Sequence, residues 1–319
     1  MTAEKQIIEV FEGATRSLYN TLLDQVREGI YCLDRNRRIV FWNKGAEAIT
    51  GFDRSEVFGK QCPEDVALLL DEDGNSINPE KCPIIATLKD RTIRSVELYI
   101  RHKDGFRLPV FLYVVPVFKE DGEIIGTAEI FTDTSPKVTI PFSVNELERM
   151  GLLDTETGIT NRKYLEIHLA ARLDEFQKHN LTFGLVYANV DHYDKLLERY
   201  GRFNAAKVLR MIARTIHKNI RYFDIVGRWN TGEFLVALLN IDETRLDMVS
   251  NKLRLLVAES YISVETGVLN ATISVGASLV QRYDTVESLV KRAEQLMMHS
   301  KWRGGNKVSM SFVKDEKQP

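Results

Sequence analysis

The second half of the sequence alternates between apolar runs of strand length and longer runs with helical periodicity, and this order restricts the fold more than any other feature. The runs, in chain order, are a helix at 160–178, a strand at 182–190, a helix at 193–219, strands at 223–230 and 233–241 joined by a tight turn at 230–232, a helix at 243–258, a β hairpin that ends in the run 271–280, a helix at 285–301 and a strand at 307–312. The order strand, helix, strand, strand, helix, strand is typical of ferredoxin-like folds, here extended at its end.

The first half has a different order, in which short strands precede and follow short helices. Its runs are strands at 29–34 and 37–43, helical pieces at 44–52, 54–59 and 79–90, and strands at 95–105, 106–122 and 123–133. Asp-Gly pairs at 104–105 and 121–122 favour hairpin turns, so the last three strands are predicted to form a meander. The fold class predicted for the whole chain is α+β followed by α/β.

Length and composition fit two folded domains in a reducing compartment. A chain of 319 residues suggests two domains, and a net charge of −2 creates no concentrated positive field for nucleic acid or an anionic membrane. No apolar run approaches the roughly 18–20 residues of a membrane span, and acidic residues near the N-terminus argue against a secretory signal. Three cysteines, an odd number, argue against a disulfide framework. We therefore expect a cytoplasmic protein that binds neither nucleic acid nor membrane.

The N-terminal residues 3–26 are predicted to form one helix, and the segment 1–19 precedes the first domain. One face of this helix carries four apolar residues, which are Ile7, Phe11, Ala14 and Leu18. Such a face packs on its own domain or forms the seam of a homodimer, and the pattern leaves both readings open. Residues 136–146 contain two prolines and little helical period, so they are predicted to be a linker, with a helix beginning near 143–145.

Residues 20–135 carry short motifs that together resemble those of PAS sensor domains. The motifs are Gly29-Ile30 with Asp34, the segment 41–47, Gly51-Phe52, Gly59-Lys60, the segment 102–105 and the closing segment 131–135. The resemblance implies an antiparallel five-stranded sheet with flanking helices around an apolar cavity. Across the family this cavity holds a small ligand, a haem, a flavin or nothing, so the ligand of this chain stays unknown.

The resemblance also implies a mechanical role for Asp133 and Ser135, which would couple the last strand to the linker. Short polar side chains at a strand end bind the free backbone groups there. No residue indicates a prosthetic group, because Cys62 lacks the context of a flavin photosensor and His102 lies in a turn-like segment. Cys62 and Cys82 are interpreted as thiols without a metal or redox role, since a metal site needs further ligands.

Residues 147–312 carry, in the right order, the motifs of a GGDEF domain, and residues 313–319 form a tail. These motifs are the opening segment 154–162, with Glu156 in place of a leucine, then 189–193, the signature 228–234, Ser274-Val275-Gly276 and the segment 301–306. The second half is identified from them as resembling the nucleotidyl cyclase fold of diguanylate cyclases. The resemblance implies a signalling role that involves cyclic di-GMP.

Several positions that carry the chemistry of this family have changed. The family places metal-binding carboxylates where this chain has Asn189 and Gly232, and two signature glycines where it has Asn230 and Thr231. Mg²⁺ requires hard, charged oxygen ligands, and phosphoryl transfer depends on such ions. The resemblance therefore implies that the catalytic set, which also includes Glu233, is degenerate.

Recognition of the base and phosphates is altered in the same way. Leu197 and Ala206 stand where the family has the Asn and Asp that bind guanine, and Gly305 replaces an arginine, whereas Lys301 is kept. The retained acids Asp191 and Glu233 are the weak candidates for metal ligands, with a structural role as the alternative for each. Lys301 is a candidate nucleotide ligand or a solvated helix-end lysine.

Arg221 and Asp224 form an Arg-x-x-Asp pattern at the distance from the signature that the family uses for its inhibitory cyclic di-GMP site. An arginine fork grips phosphate or a guanine edge, and the alternative is a local pair on a turn. The leading prediction is a non-catalytic regulator that dimerises and binds cyclic di-GMP, GTP or a protein partner. The alternative is an active diguanylate cyclase that holds Mg²⁺ through Asp191 and Glu233.

Overall fold

A computed structural model describes residues 21–62, 66, 69–71, 74–135, 144–265 and 267–311. The apolar face predicted for the N-terminal helix lies outside these residues, and the described end of that helix is helical over 21–25. The tail and most of the predicted linker also lie outside them. The chain divides into two compact units, the first made mainly of residues up to Thr134 and the second mainly of residues from Ser135 onwards.

The first unit has the element order predicted from the sequence. Its elements are β1 (Gly29–Asp34), β2 (Ile39–Trp42), α1 (Lys44–Thr50), α2 (Arg54–Val57), a 3₁₀ turn (Pro79–Lys81), α3 (Pro83–Asp90), β3 (Arg94–Arg101), β4 (Arg107–Phe118) and β5 (Ile124–Asp133). The single helical piece predicted at 79–90 is in fact two, because Cys82 is extended before Pro83, which opens α3.

The five strands of the first unit form one sheet in the order β2-β1-β5-β4-β3, which confirms the predicted meander of the last three strands. The pairs β1–β2, β1–β5 and β4–β5 are antiparallel. The strand that closes the unit, β5, therefore lies in the middle of the sheet. Its two neighbours are β1 and β4.

Asn43, in the predicted motif 41–47, joins β1 to α1. Its side chain is fully buried and its Oδ1 accepts hydrogen bonds from the backbone N–H of Ile30 and of Ala46, each at 2.8 Å. Its Nδ2 donates to the carbonyls of Leu23 and Glu28. All the polar atoms of this buried amide are therefore used, and they cap α1 while fixing the start of β1.

The second unit alternates strands and helices as predicted. Its elements are α4 (Val144–Arg149), β6 (Thr160–Asn161), α5 (Arg162–His179), β7 (Phe183–Val190), α6 (Tyr193–Lys218), β8 (Ile225–Asn230), β9 (Glu233–Leu239), α7 (Glu243–Ala258), β10 (Tyr261–Val264), β11 (Gly267–Asn270), β12 (Ile273–Leu279), α8 (Val286–Trp302) and β13 (Val308–Met310). The start of α4 agrees with the helix predicted to begin near 143–145.

Six of these strands form a sheet in the order β13-β12-β7-β9-β8-β6. The core packs the inner face of β7 and β9 against α5 and α8, with Leu165, Phe183 and Ala293 among its buried members. Gly276 of β12 allows the close approach of α8, because a Cβ there would lie 2.1 Å from the carbonyl oxygen of Ala293. A residue with a side chain at this position would therefore push the helix and the strand apart.

The hairpin predicted to end in the run 271–280 is wrong in its pairing. The hairpin consists of β10 and β11 alone, which form a separate two-stranded sheet. The apolar strand β12 instead pairs antiparallel with β7 and parallel with β13. Its buried residues on both faces need cover from the main sheet, and an isolated hairpin offers none. Among the described residues, no helix combines the length and apolar character needed to cross a membrane.

Candidate functional site

Asn189 and Glu233 face each other on the adjacent strands β7 and β9. Asn189 Nδ2 donates a hydrogen bond to Glu233 Oε1 at 3.0 Å, and the Tyr187 hydroxyl donates to Glu233 Oε2 at 2.8 Å. Burial, together with Glu233, raises the pKa of Tyr187 well above its usual value, so it stays a donor. Both oxygens of Glu233 are thus held by protein donors. The sequence analysis missed Tyr187, although its place two residues before Asn189 puts both side chains on one face.

Asp191 is buried and its carboxylate is fully engaged within the second unit. Its Oδ2 accepts hydrogen bonds from the Thr272 hydroxyl at 2.6 Å and the Asn306 backbone N–H at 2.9 Å. Its Oδ1 accepts from the Ser274 hydroxyl at 2.6 Å. These bonds join the end of β7 to β12 and to the loop before β13. Both carboxylate oxygens of Asp191 therefore make structural hydrogen bonds within the second unit.

The signature turn survives the loss of its two glycines. Neither Asn230 nor Thr231 adopts a positive φ, and only Gly232 does, with φ at 71°. Asn230 Oδ1 accepts a hydrogen bond from the Thr231 backbone N–H at 2.9 Å, and the hairpin closes by pairing Asn230 with Glu233. The residue that replaces the family's acid is thus the one that supplies the left-handed conformation.

Arg228, the first residue of the signature, binds the opening motif. Its Nη1 lies 3.1 Å from Asp154 Oδ1 and 2.5 Å from Glu156 Oε2. Although burial alone would raise it, hydrogen bonds from Thr157 and the charge of Arg228 hold the pKa of Asp154 below its usual value. Glu156 stands where the family has leucine, so Arg228 binds a second carboxylate in this chain. The sequence showed the replacement of leucine but did not reveal this ion pair.

The positions predicted for guanine and phosphate differ in their burial and contacts. Leu197 is exposed on α6 and Ala206 is buried in the same helix. Lys301 is half-buried near the end of α8, and no hydrogen bond or ion pair of its ammonium group occurs within the described residues. A Cβ on Gly305 would lie 3.2 Å from the carboxylate of Asp191. The loop is therefore drawn onto Asp191.

The residues present do not fit the divalent ions that the fold implies. Within the described ranges, no group of three or more His, Cys, Asp or Glu side chains is arranged to hold a metal ion. At the cleft, Asn189 offers a neutral amide whose nitrogen points to Glu233, and Gly232 offers no side chain. Hard cations bind charged oxygens, which these positions lack.

The Arg-x-x-Asp pattern forms a turn before β8. Asp224 Oδ2 accepts a hydrogen bond from the Arg221 backbone N–H, and its Oδ1 accepts from that of Leu239, each at 2.9 Å. Burial raises the pKa of Asp224 in spite of these bonds. Asp224 thus shapes the turn through the backbone, and the side chain of Arg221 is exposed.

A groove of about 640 Å³ lies beside this turn. Its lining includes His168 and Arg172 of α5, His217 of α6 and the residues Arg221 and Tyr222. Burial lowers the pKa of His168 and of His217, which favours the neutral imidazoles. The groove thus combines cationic guanidinium groups with rings that donate and accept hydrogen bonds.

Asp133 ends β5 in the first unit, and the buried Ser135 begins the main segment of the second unit. The backbone N–H of Thr134, between them, donates to the carbonyl of Pro109 at 3.0 Å. Their coupling role stays a prediction. Cys32, Cys62 and Cys82 form no disulfide within the residues that the structure describes.

Each of the two units matches a known sequence family. Residues 27–136 match the family described as "PAS domain", and residues 152–307 match the one described as "Diguanylate cyclase, GGDEF domain". Two curated relatives are Diguanylate cyclase A of Treponema denticola, 26% identical over 60% of this chain and 54% of its own, and the response regulator PleD of Caulobacter vibrioides, 27% identical over 57% and 41%. The chain therefore spans about half the length of these relatives or less.

A solved structure with the same fold is that of diguanylate cyclase SiaD in complex with its activator SiaC from Pseudomonas aeruginosa. It is 27% identical, with a TM-score of 0.50, and the match covers 52% of this chain and 64% of SiaD. The fold and the motifs define a two-unit protein with an N-terminal PAS domain and a C-terminal GGDEF domain. This chain belongs to the PAS–GGDEF proteins.

Proposed function

We propose that this chain is a cyclic di-GMP signalling protein whose GGDEF domain makes no cyclic di-GMP and acts by binding a nucleotide or a protein partner under control of the PAS domain. We place the PAS domain at 20–135, the linker at 136–146 and the GGDEF domain at 147–312. The observation that carries the proposal is the hydrogen bond from Asn189 to Glu233. An amide and a carboxylate satisfy each other there without a cation.

The chemistry of the family explains why this contact matters. Formation of cyclic di-GMP needs a ribose 3′-hydroxyl to attack the α-phosphate of GTP, with divalent ions neutralising the phosphate charge. At the two positions where the family has carboxylates for those ions, this chain has Asn189 and Gly232. The two retained acids bind protein donors: Glu233 binds Tyr187 and Asn189, and Asp191 binds β12 and the β13 loop. Their use as metal ligands would require breaking these bonds.

Turnover is tested directly with the full chain. We expect incubation with GTP and Mg²⁺, and separately with Mn²⁺, to give no cyclic dinucleotide above a protein-free control in chromatography. Product formation by the wild type would overturn the proposal. If that product disappears in Glu233→Gln, the active alternative that uses Glu233 for metal is supported.

Nucleotide binding is the second part of the proposal, and the groove beside Arg221 supports it. Its volume lies within the roughly 300–1,000 Å³ of small-molecule sites. Arg172 and Arg221 offer guanidinium groups for phosphates, and His168 and Tyr222 offer rings for a base. The exposed side chain of Arg221 is available to such a ligand, because the hydrogen bond between Arg221 and Asp224 uses the Arg221 backbone N–H.

Calorimetry with cyclic di-GMP, and in parallel with GTP, tests this site. We expect Arg221→Ala to weaken cyclic di-GMP binding at least about tenfold, which is about 1.4 kcal/mol. Arg245→Ala is the matched control, because Arg245 lies on α7 with a side chain 62% exposed and away from the groove. If both variants bind cyclic di-GMP with the affinity of the wild type, Arg221 is not part of the binding site.

Protein partners and self-association complete the proposal. The similar protein SiaD was solved with an activator protein, which favours a partner for this domain as well. We propose a homodimer as the working state, and light scattering across a concentration series tests it. A mass equal to one chain at all concentrations would contradict the dimer.

A further inference from the structure

One face of the central strand β5 turns polar residues into the PAS core. Thr127 and Glu129 are fully buried and Phe131 is 2% exposed, whereas Ile130 on the opposite face is 39% exposed. Alternation along a strand places the first three residues on one side of the sheet. A glutamate therefore occupies a position where the fold buries apolar side chains.

The surroundings of Glu129 offer its buried carboxyl group only weak neutral partners. Within the part of the chain that the structure describes, neither Glu129 carboxyl oxygen nor the Thr127 hydroxyl makes a hydrogen bond of normal geometry. The Thr127 hydroxyl and the Glu129 backbone N–H lie near enough to offset part of the effect of burial on the pKa of this carboxyl group. The residues opposite Glu129 are Tyr31 on β1 and Val114 on β4. Burying a carboxylate without a partner is far more costly than burying the neutral acid.

The titratable groups around Glu129 come from β1 and from Cys62 and Cys82, both of which act on Tyr31. Tyr31 lies opposite Glu129, Cys32 is the next residue on β1, and the Cys62 thiol is 3.8 Å from the Tyr31 hydroxyl. The helix that packs on β5, α3, buries Pro83, Ile84 and Thr87 and keeps its charged end exposed. Among the described residues, a buried cation at this cluster is Arg101 of β3, which lines the neighbouring cavity, and no cation contributes to the pKa of Glu129.

Of Glu129, Tyr31 and Cys32, Glu129 is the group whose pKa lies near neutral pH. Burial raises its pKa to about 8. Burial also raises the pKa of Cys32 to about 11 and that of Tyr31 well above its usual value. The carboxyl is therefore mostly neutral at pH 7 and ionises within the next two pH units.

The space in the core restricts what else binds there. The cavity beside this cluster, lined by Tyr31, Trp42 and Phe131 among others, has a volume of about 10 Å³. That is enough for about one water molecule and too little for an organic ligand. A proton needs no additional volume.

We propose that Glu129 is an internal proton-binding site through which the PAS domain responds to pH. With the proton bound, the core packs around a neutral acid; when the proton leaves to solvent water, the carboxylate must be hydrated, which opens the sheet around β5. The change is passed along β5, because this strand ends four residues later at Asp133 and leads into the second unit. This inference rests on the sensor role proposed for the PAS domain and names its input.

Infrared difference spectroscopy of the full chain tests protonation without any nucleotide. We expect the wild type to lose the carbonyl band of a protonated carboxylic acid as pH rises, with a midpoint near 8. The band should be absent from Glu129→Gln and retained in Glu97→Gln, a control at an exposed position on β3. Glu129→Met, an apolar residue of similar length, replaces the glutamine variant if that variant fails to fold.

Hydrogen exchange, corrected for the intrinsic effect of pH, tests the response of the strand. We expect protection of the β5 amides to fall at least about tenfold between pH 7 and pH 9 in the wild type and to stay unchanged in Glu129→Gln. A titrating band without this loss, or a band that persists in Glu129→Gln, would overturn the proposal. Neither readout involves GTP, so its failure is separate from any failure of the inactive-cyclase proposal.

Discussion

Asn189 Nδ2 lies 3.0 Å from Glu233 Oε1, an approach that two carboxylates at these positions could make only with a proton or a cation between them. The Asn189 amide donates a hydrogen bond to Glu233, so the two side chains approach each other without a metal ion between them. Both oxygens of Glu233 have hydrogen-bond donors as the site stands, although the carboxylate keeps its negative charge. Repair of the site would need more than one substitution, since Leu197 and Ala206 also remove the polar groups predicted for guanine.

Asn189→Asp should place two carboxylates against each other. We expect the unfolding free energy at pH 7 to fall by on the order of 1–3 kcal/mol, because a hydrogen bond is lost and like charges meet. Added Mn²⁺ should restore part of the loss in urea unfolding. Asn189→Ala, which removes the bond without adding charge, should show no metal dependence. Equal stability of Asn189→Asp and the wild type without metal would contradict this account of the contact.

Gly232 cannot accept the family's acidic residue without a cost in backbone energy. Its φ of 71° disfavours residues with a Cβ by about 1–2 kcal/mol. A Cβ there would lie 3.4 Å from Tyr193 Cγ, which is ordinary contact, so the cost comes from the backbone. We expect Gly232→Glu to lower the thermal midpoint more than Gly232→Asn, because Asn tolerates this conformation. The reverse ranking would show that the turn changes shape.

The ion pair between Glu156 and Arg228 should contribute to the stability of the second unit. Their side chains are 27% and 12% exposed, and Arg228 also binds Asp154. We expect Glu156→Gln to cost on the order of 1–3 kcal/mol in urea unfolding. Glu166→Gln is the control, because its pair with Arg162 is exposed and should contribute less than about 1 kcal/mol. Similar losses in both variants would argue against a special role for Glu156.

Glu129 should make the stability of the first unit depend on pH. Its pKa is about 8 in the folded state and about 4.5 in the unfolded chain, so between these values the folded state binds more protons. The unfolding free energy should therefore fall as pH rises through this window, by at most about 1.4 kcal/mol per pH unit, and level off above it. Glu129→Gln should lack this component of the slope in unfolding followed from pH 6 to pH 9. An identical slope in both proteins would contradict the raised pKa.

The order of elements could be read from the sequence because helical and strand periodicities differ over long runs such as 193–219 and 183–190. Pairing was harder to predict, and β12 shows why. Its apolar run follows β11 directly, yet it pairs with β7 because both of its faces need burial. Local pattern does not reveal which distant strand supplies that cover.

The sequence alone showed which family residues are replaced at the candidate site, but it did not show the contacts that the new residues make. Asn189 and Gly232 could be recognised as changes from the sequence alone, but the bond to Glu233 and the φ of Gly232 depend on the register of β7, β9 and the turn. Glu129 was missed for a related reason. Alternation along β5 defines two faces, and the face with Ile130 is the more apolar choice for a core. The structure buries the other one.

The middle position of β5 has a consequence for how a signal could leave the PAS domain. A strand at the border of a sheet can detach by degrees, one bond after another, and so report small changes in proportion. β5 is bonded to β1 on one side and β4 on the other, so it shifts only if both partners shift with it. We expect such a domain to respond cooperatively, above a threshold of its signal, rather than in proportion to the signal.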